Sequence, residues 1–188
     1  MEKKTVIAIV GMCGSGKTAI TEYLQKKYKW PKVYLGSATF DYMQKHKIPV
    51  NYKNEKTTRE KIRKELGPDA YAKLSFPKIQ KELKNTSVLI LESLYSWSEY
   101  KFFKTKYKEN FKVMAAITPA LERFKRLSDR HYERPMKNWQ EFQERDYSEI
   151  ENIAKAGPIV MADFPVLNIG SLQKLHKQID AYIKQLKL

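Results

Sequence analysis

The feature that most constrains this chain lies near its start. Thr5-Val6-Ile7-Ala8-Ile9-Val10 is a short, largely β-branched run that stops at Gly11-Met12-Cys13-Gly14-Ser15-Gly16-Lys17-Thr18. Beyond the glycines, Ile20, Tyr23, Leu24 and Tyr28 recur at helical spacing, which predicts an amphipathic helix from Lys17 to about Tyr28. A buried strand, a Gly-x-x-x-x-Gly-Lys-Thr loop and a helix, in that order, make a phosphate cradle. Glycine permits the backbone angles that turn successive N–H groups toward one centre, and the helix presents its positive end there. Gly11, Gly14, Ser15, Gly16, Lys17 and Thr18 are therefore the expected ATP-binding residues. Lys17 would bridge the β- and γ-phosphates, and the Thr18 hydroxyl would ligate Mg²⁺. Cys13 occupies a variable position and reads as a small residue in a tight loop.

The rest of the chain alternates between the same two kinds of element. Val33–Leu35 (ending at Gly36), Val88–Leu91, Val113–Ile117 and Val166–Ile169 read as further short buried strands. Thr57-Thr58-Arg59-Glu60 has capping-box spacing with Gly67 as a stop, and its few apolar residues, Ile62 and Leu66, predict a surface helix. Another helix reaches about Leu83, with Pro77 able to break or restart it. Thr118-Pro119 predicts an Ncap–N1 start. Asn138 with Glu141 predicts a helix that ends at Gly157-Pro158. Ser171 opens the last helix, with the stripe Leu172, Leu175, Ile179, Tyr182, Ile183 and Leu186. Lys45–Lys56 is polar and shows little periodicity. Five strands alternating with helices predict one α/β domain over residues 1–188, a five-stranded parallel sheet with helices on both faces.

Composition narrows the setting. No apolar run is long enough to span a bilayer, no small-residue cleavage site follows the first apolar run, and the only cysteine is Cys13. A cytoplasmic location without membrane association is the expectation. The 36 Lys+Arg against 21 Asp+Glu leave a net charge of +15, which suits phosphorylated small molecules or nucleic acid. Because the excess is mostly lysine spread over the whole chain, it reads first as solvated helix faces, and nucleic acid is not the favoured partner.

The arginines are clustered instead. Arg123, Arg126, Arg130 and Arg134 fall at about 0°, 300°, 340° and 20° around a helix of 100° per residue, a single stripe beside Leu121, Phe124 and Leu127. Forked guanidiniums on one face suit phosphate oxygens and predict a lid segment that closes over ATP, with Arg126 and Arg130 stabilising the transferred group. Glu92, after Leu89-Ile90-Leu91, is the one acid at a strand end in this region. It is the candidate for metal binding or for accepting a proton. No Asn-Lys-x-Asp tetrapeptide for guanine occurs, and a helicase or motor would need more chain.

With these residues in hand, the chain resembles the small P-loop kinases of the adenylate kinase and dephospho-CoA kinase group, most of all an uncharacterised, mainly archaeal branch of it. The matching stretches are Gly11–Thr18, Leu35-Gly36, Arg63 followed by Gly67–Leu74, Arg123-Phe124-x-Arg126-Leu127, Phe142-x-x-Arg145-Asp146, and Ala162-Asp163 before Asn168-Ile169-Gly170. The resemblance implies a nucleoside monophosphate kinase-like fold with an acceptor-binding segment at about 36–83 and a lid at about 123–137. It implies Arg63 as a grip for acceptor phosphate. The chain departs from the pattern at Ser37 and Phe40, where relatives carry aspartate and arginine. It departs again at Glu92-Ser93-Leu94-Tyr95-Ser96, where they carry Asp-Gly-x-Arg-Ser. Phe40 and Tyr95 would then stack on a base or ring of the acceptor. The expected function is Mg·ATP-dependent phosphoryl transfer to a nucleotide or nucleotide-like small molecule. The alternative is an ATP-binding regulatory or nucleic-acid-associated protein with weak or lost kinase activity.

Overall fold

A computed structural model describes residues 4–129 and 136–188, without the side chain of Tyr52. Five parallel strands carry the architecture: β1 (Thr5–Val10), β2 (Lys32–Tyr34), β3 (Val88–Glu92), β4 (Phe111–Ile117) and β5 (Phe164–Leu167), in the order β2-β3-β1-β4-β5. Because strand side chains alternate between faces, each apolar run feeds two cores. Val6, Ala8, Val10, Leu89, Leu91, Val113 and Ala115 point to one face. There they meet Ile62 of α3 (Tyr52–Leu66), Ile79 of α4 (Ala70–Glu82) and Phe103 of α5 (Trp97–Tyr107). Ile7, Ile9, Ile90, Met114 and Val166 point to the other. That face is covered by Ile20 and Leu24 of α1 (Lys17–Tyr28) and by Leu175, Ile179, Tyr182 and Ile183 of α9 (Leu172–Leu186). Among the described residues no helix is long and apolar enough to cross a membrane.

Several boundaries differ from the sequence expectation. α3 begins five residues before Thr57, because Asn51 caps it first: the Asn54 N–H donates to Asn51 Oδ1 at 2.9 Å. Thr57 then lies inside the helix and donates its hydroxyl to the Lys53 carbonyl. Pro77 neither breaks nor restarts α4, which runs through it. The polar stretch after Gly36 is partly helical, as α2 (Ser37–Lys45). α5 was not expected, although Ser96 and Glu99 form a complete capping box at its start. α6 (Ala120–Ser128) starts one residue later than expected, with Pro119 at the cap, and leaves Leu121 exposed. α7 (Trp139–Ile153) stops at Ala154, whose φ of 50° turns the chain; Gly157-Pro158 lie within α8 (Ala156–Val160). Leu172, expected in the buried stripe of α9, is exposed.

α6 and α7 pack around Leu127, Met136 and Phe142. They are joined by one buried ion pair. Arg123 is held by Asp146 in a two-pronged contact at 3.0 and 2.6 Å, with Phe142 beneath the guanidinium. Removing one member of such a pair strands the other charge in the interior. Asp146→Ala is therefore expected to cost about 3–5 kcal/mol in urea unfolding. The double variant Arg123→Met/Asp146→Leu should recover most of that loss, an outcome read from the same denaturation curves.

Candidate active site

The loop Gly11–Thr18 leaves β1 at the C-terminal edge of the sheet and enters α1. Gly14 and Gly16 have φ of 79° and 92°, a region costly for any residue with a Cβ. Neighbours also close in from behind. A Cβ on Gly14 would lie 2.8 Å from the Arg123 carbonyl oxygen, and one on Gly16 2.0 Å from Asn168 Nδ2.

Those neighbours orient the loop. Arg123 Nη1 donates to the Cys13 carbonyl at 3.2 Å, and Asn168 Nδ2 donates to the Ser15 carbonyl at 2.9 Å. The buried Thr118 hydroxyl lies 3.1 Å from the same Ser15 oxygen and 3.2 Å from the Asn168 carbonyl. In a planar trans peptide the carbonyl and the next N–H point in opposite directions. Holding Cys13 and Ser15 oxygens outward turns the Gly14 and Gly16 N–H groups inward, where an anion would bind. Arg126, expected to stabilise the transferred group, donates here from Nη2 to the Asn168 carbonyl at 2.8 Å. Arg123 shares its stripe but is buried and spent on Asp146, Cys13 and Thr118, so it braces the loop. Arg130 and Arg134 lie outside the described residues, as do residues 130–135 in the middle of the segment expected to form a lid.

Lys17 folds back onto the loop, donating to the Gly11 and Met12 carbonyls, each at 3.0 Å. Burial, reinforced by the nearby Lys155 ammonium, lowers its pKa to about 8. Around it stand three groups that sequence reasoning did not assign to the site. Arg145 reaches Glu149 at 3.5 Å one helical turn away, and Glu149 is also ion-paired with Lys155. Burial works against the Glu149 charge, yet Lys155 and then Arg145 hold its carboxyl below the usual range. Lys155 lies 4.7 Å over the Tyr95 ring. The Tyr95 hydroxyl donates to Ser93 Oγ at 2.9 Å, and burial keeps that phenol protonated well above its ordinary pKa. The spacing of Arg145 and Glu149 was visible as an i, i+4 pair; nothing in the sequence marked Lys155.

Glu92 pairs in register with Ile9 and Tyr34, which puts it on the α1 face of the sheet. Its carboxylate is bound to Lys32 at 2.9 Å. Thr18, in the first turn of α1, is exposed. On the other side, Arg63 lies 4.9 Å from the Tyr71 ring centroid, and Tyr71 shares a 2.8 Å hydrogen bond with Thr39. Arg63 Nε and the nearby Glu99 Oε1 are buried without a hydrogen-bond partner among the described residues. Glu99 is held by the Tyr95 and Ser96 N–H groups through its other oxygen. Phe40, on α2, is exposed.

Comparison with known proteins agrees with this geometry. Residues 7–154 match the family described as AAA domain. A UPF0200 protein of Pyrococcus abyssi is 32% identical over 182 residues, covering 96% of each chain. One from Methanocaldococcus jannaschii is 32% identical over 181 residues, covering 96% of this chain and 90% of its own. Among solved structures, shikimate kinase from Bacteroides thetaiotaomicron superposes with a TM-score of 0.60 at 15% identity, covering 98% of this chain and 99% of that one. A gluconokinase from Sinorhizobium meliloti gives 0.60 at 14% identity, covering 99% of this chain and 95% of that one. The chain has the nucleoside monophosphate kinase-like P-loop fold, and it belongs to the AAA-domain family and to the UPF0200 proteins.

Proposed function

We propose that this chain is a phosphotransferase that moves the γ-phosphate of Mg·ATP to a nucleotide or nucleotide-like small molecule. One observation carries the reading: Arg145 and Lys155, both paired with Glu149, gather beside Lys17 of the glycine loop. Partly buried cations in excess of their counter-ion are costly unless an anion joins them. A triphosphate fits that need, with Gly14 and Gly16 amides and Lys17 as its donors. Mg²⁺ fits the Thr18 hydroxyl and the Glu92 carboxylate, once Glu92 is released from Lys32. The bound metal supplies charge neutralisation at the phosphate oxygens.

The remaining work falls to the chain's own residues. Lys17 leaves the Gly11 and Met12 carbonyls to take phosphate oxygens. Arg126, with Arg130 from the lid at about 123–137, would stabilise charge on the transferred group. The segment at about 36–83 would present the acceptor, gripped by Arg63 and flanked by the rings of Phe40 and Tyr95. Positioning and fixed charge would supply most of the rate.

A second reading, an ATP-dependent regulator that binds nucleic acid, draws on one further feature. At the N-terminal edge of the sheet, away from the loop, an open cleft of about 700 Å³ is lined by Lys4, Phe76, Lys81, Lys84, Lys106 and Tyr107. The two readings separate in one assay. Incubation with Mg·ATP and a panel of nucleoside monophosphates and dephospho-CoA should release ADP only when the right acceptor is present. ATP binding with no acceptor effect, together with salt-sensitive RNA binding, would favour the regulator. Lys17→Ala should lower acceptor-dependent turnover on the order of a hundredfold or more.

The depressed Lys17 value gives a pH test. Between about 8 and the ordinary 10.5 the unfolded chain holds more protons at this lysine than the folded one, so free-chain stability gains from Lys17 as pH rises through that window. A bound polyanion favours the charged form and raises the pKa again. ATP binding at pH 8.5 should therefore take up a fraction of a proton, measured by calorimetry in two buffers of different ionisation enthalpy. Lys17→Met should abolish the uptake.

A further inference from the structure

Lys155 is the least expected cation of the site, and its placement is tightly specified. α7 ends at Ile153, and left-handed Ala154 turns the chain sharply. The Lys155 N–H then returns to the Glu149 carbonyl at 3.2 Å, so two residues six apart come together. The lysine is 2% exposed. Its ammonium sits between the Glu149 carboxylate and the face of Tyr95, 4.7 Å from the ring centroid.

The two supports fix where that ammonium lies. Tyr95 follows the end of β3 by three residues, and β3 is the sheet neighbour of β1, which delivers the glycine loop. Both strands are parallel, so their C-terminal ends open on the same edge. α7 is docked against the loop from outside through Asp146, Arg123 and the Cys13 carbonyl. Lys155 therefore lies between Lys17 of the loop and Tyr95 beyond the β3 exit. Among the described residues, the charged groups that act on this cluster are Lys17 and Arg145, both positive, and the acid Glu149. Glu149 is divided between Lys155 and Arg145.

Glu149 has to serve two cations, so a polyanion that brings several oxygens into the site competes with it for the ammonium. In the nucleotide reading above, the loop amides and Lys17 take the β-phosphate and one side of the γ-phosphate. Lys155 lies over Tyr95, the ring assigned above to the acceptor side. We propose that Lys155 is a second phosphate-binding lysine of this site, which takes the terminal phosphate of the donor nucleotide, and that Glu149 holds it in place until that anion arrives. The proposal rests on the nucleotide reading above and adds a residue to it.

The test compares ATP with ADP, because only ATP carries the terminal phosphate. Direct titration of Lys155→Met should show ATP affinity lowered about tenfold or more, the scale of one lost hydrogen bond to a charged group, with ADP affinity within about twofold of the parent chain. Lys155→Arg should restore the preference for ATP at least in part. Glu149→Gln should melt lower without ligand yet show a larger ATP-induced rise in Tm than the parent chain. Equal losses for ATP and ADP in Lys155→Met, or no loss for either, would make the residue structural and overturn the proposal. If Lys155→Met does not fold, the Glu149→Gln measurement decides, and an ATP-induced rise no larger than the parent's overturns it. A parent chain that binds neither nucleotide overturns the underlying reading instead, before any variant is examined.

Discussion

The direction of two carbonyl groups governs this molecule. Planar peptides leave the glycine loop a choice of facing its oxygens or its N–H groups toward the site. Arg123, Asn168 and Thr118 settle that choice by taking the Cys13 and Ser15 oxygens from behind. Each brace depends on a separate part of the fold. Thr118 follows β4, which pairs with β1, and Asn168 follows β5, one strand further out beside β4. Arg123 depends on Asp146, and so on the docking of α7. The loop's chemistry is thus local in sequence, whereas its orientation is set by residues more than a hundred positions away.

This dependence explains which parts could be read from the sequence. The strands were legible because each is a compact apolar run, and the phosphate cradle because its eight residues are consecutive. Helix starts were less legible where two signals competed. Thr57 and Glu60 have the right spacing for a cap, but Asn51 acts earlier on a segment with no breaker between them. Of the expected arginine stripe only Arg123 and Arg126 fall among the described residues, on α6, which ends at Ser128 before the other two. Angle could not reveal that Asp146 would claim Arg123. Lys155 had no sequence signal at all, because its role comes from a left-handed residue and a returning backbone hydrogen bond. A lysine among 36 basic residues becomes distinctive only when it is buried.

The segment proposed to bind the acceptor contrasts with the glycine loop. Where the family resemblance implies cationic residues, the chain carries the rings of Phe40 and Tyr95. Tyr95 is not thereby left apolar, for its face is covered by an ammonium and its hydroxyl is tied to Ser93. Ser93 itself has a φ of 68°, a strained value for a residue with a Cβ, held at the exit of β3. On the far side, Arg63 and Glu99 each keep a buried polar atom without a partner among the described residues. Unmet donors and acceptors of both kinds favour a ligand with polar groups of both kinds, more than a bare phosphate.

The net charge of +15 then separates into two populations with different physics. Most of the lysines are exposed, where ions screen them within about 8 Å at physiological salt. They act together, raising the rate at which anions meet the surface, and they lose that effect as salt rises. Lys155 is buried and Lys17 and Arg145 are half-buried around Glu149, so salt screens them less than the surface lysines. An anionic ligand that enters the site relieves their mutual repulsion. The surface surplus therefore bears on how fast an anion arrives, and the enclosed surplus on which anion stays.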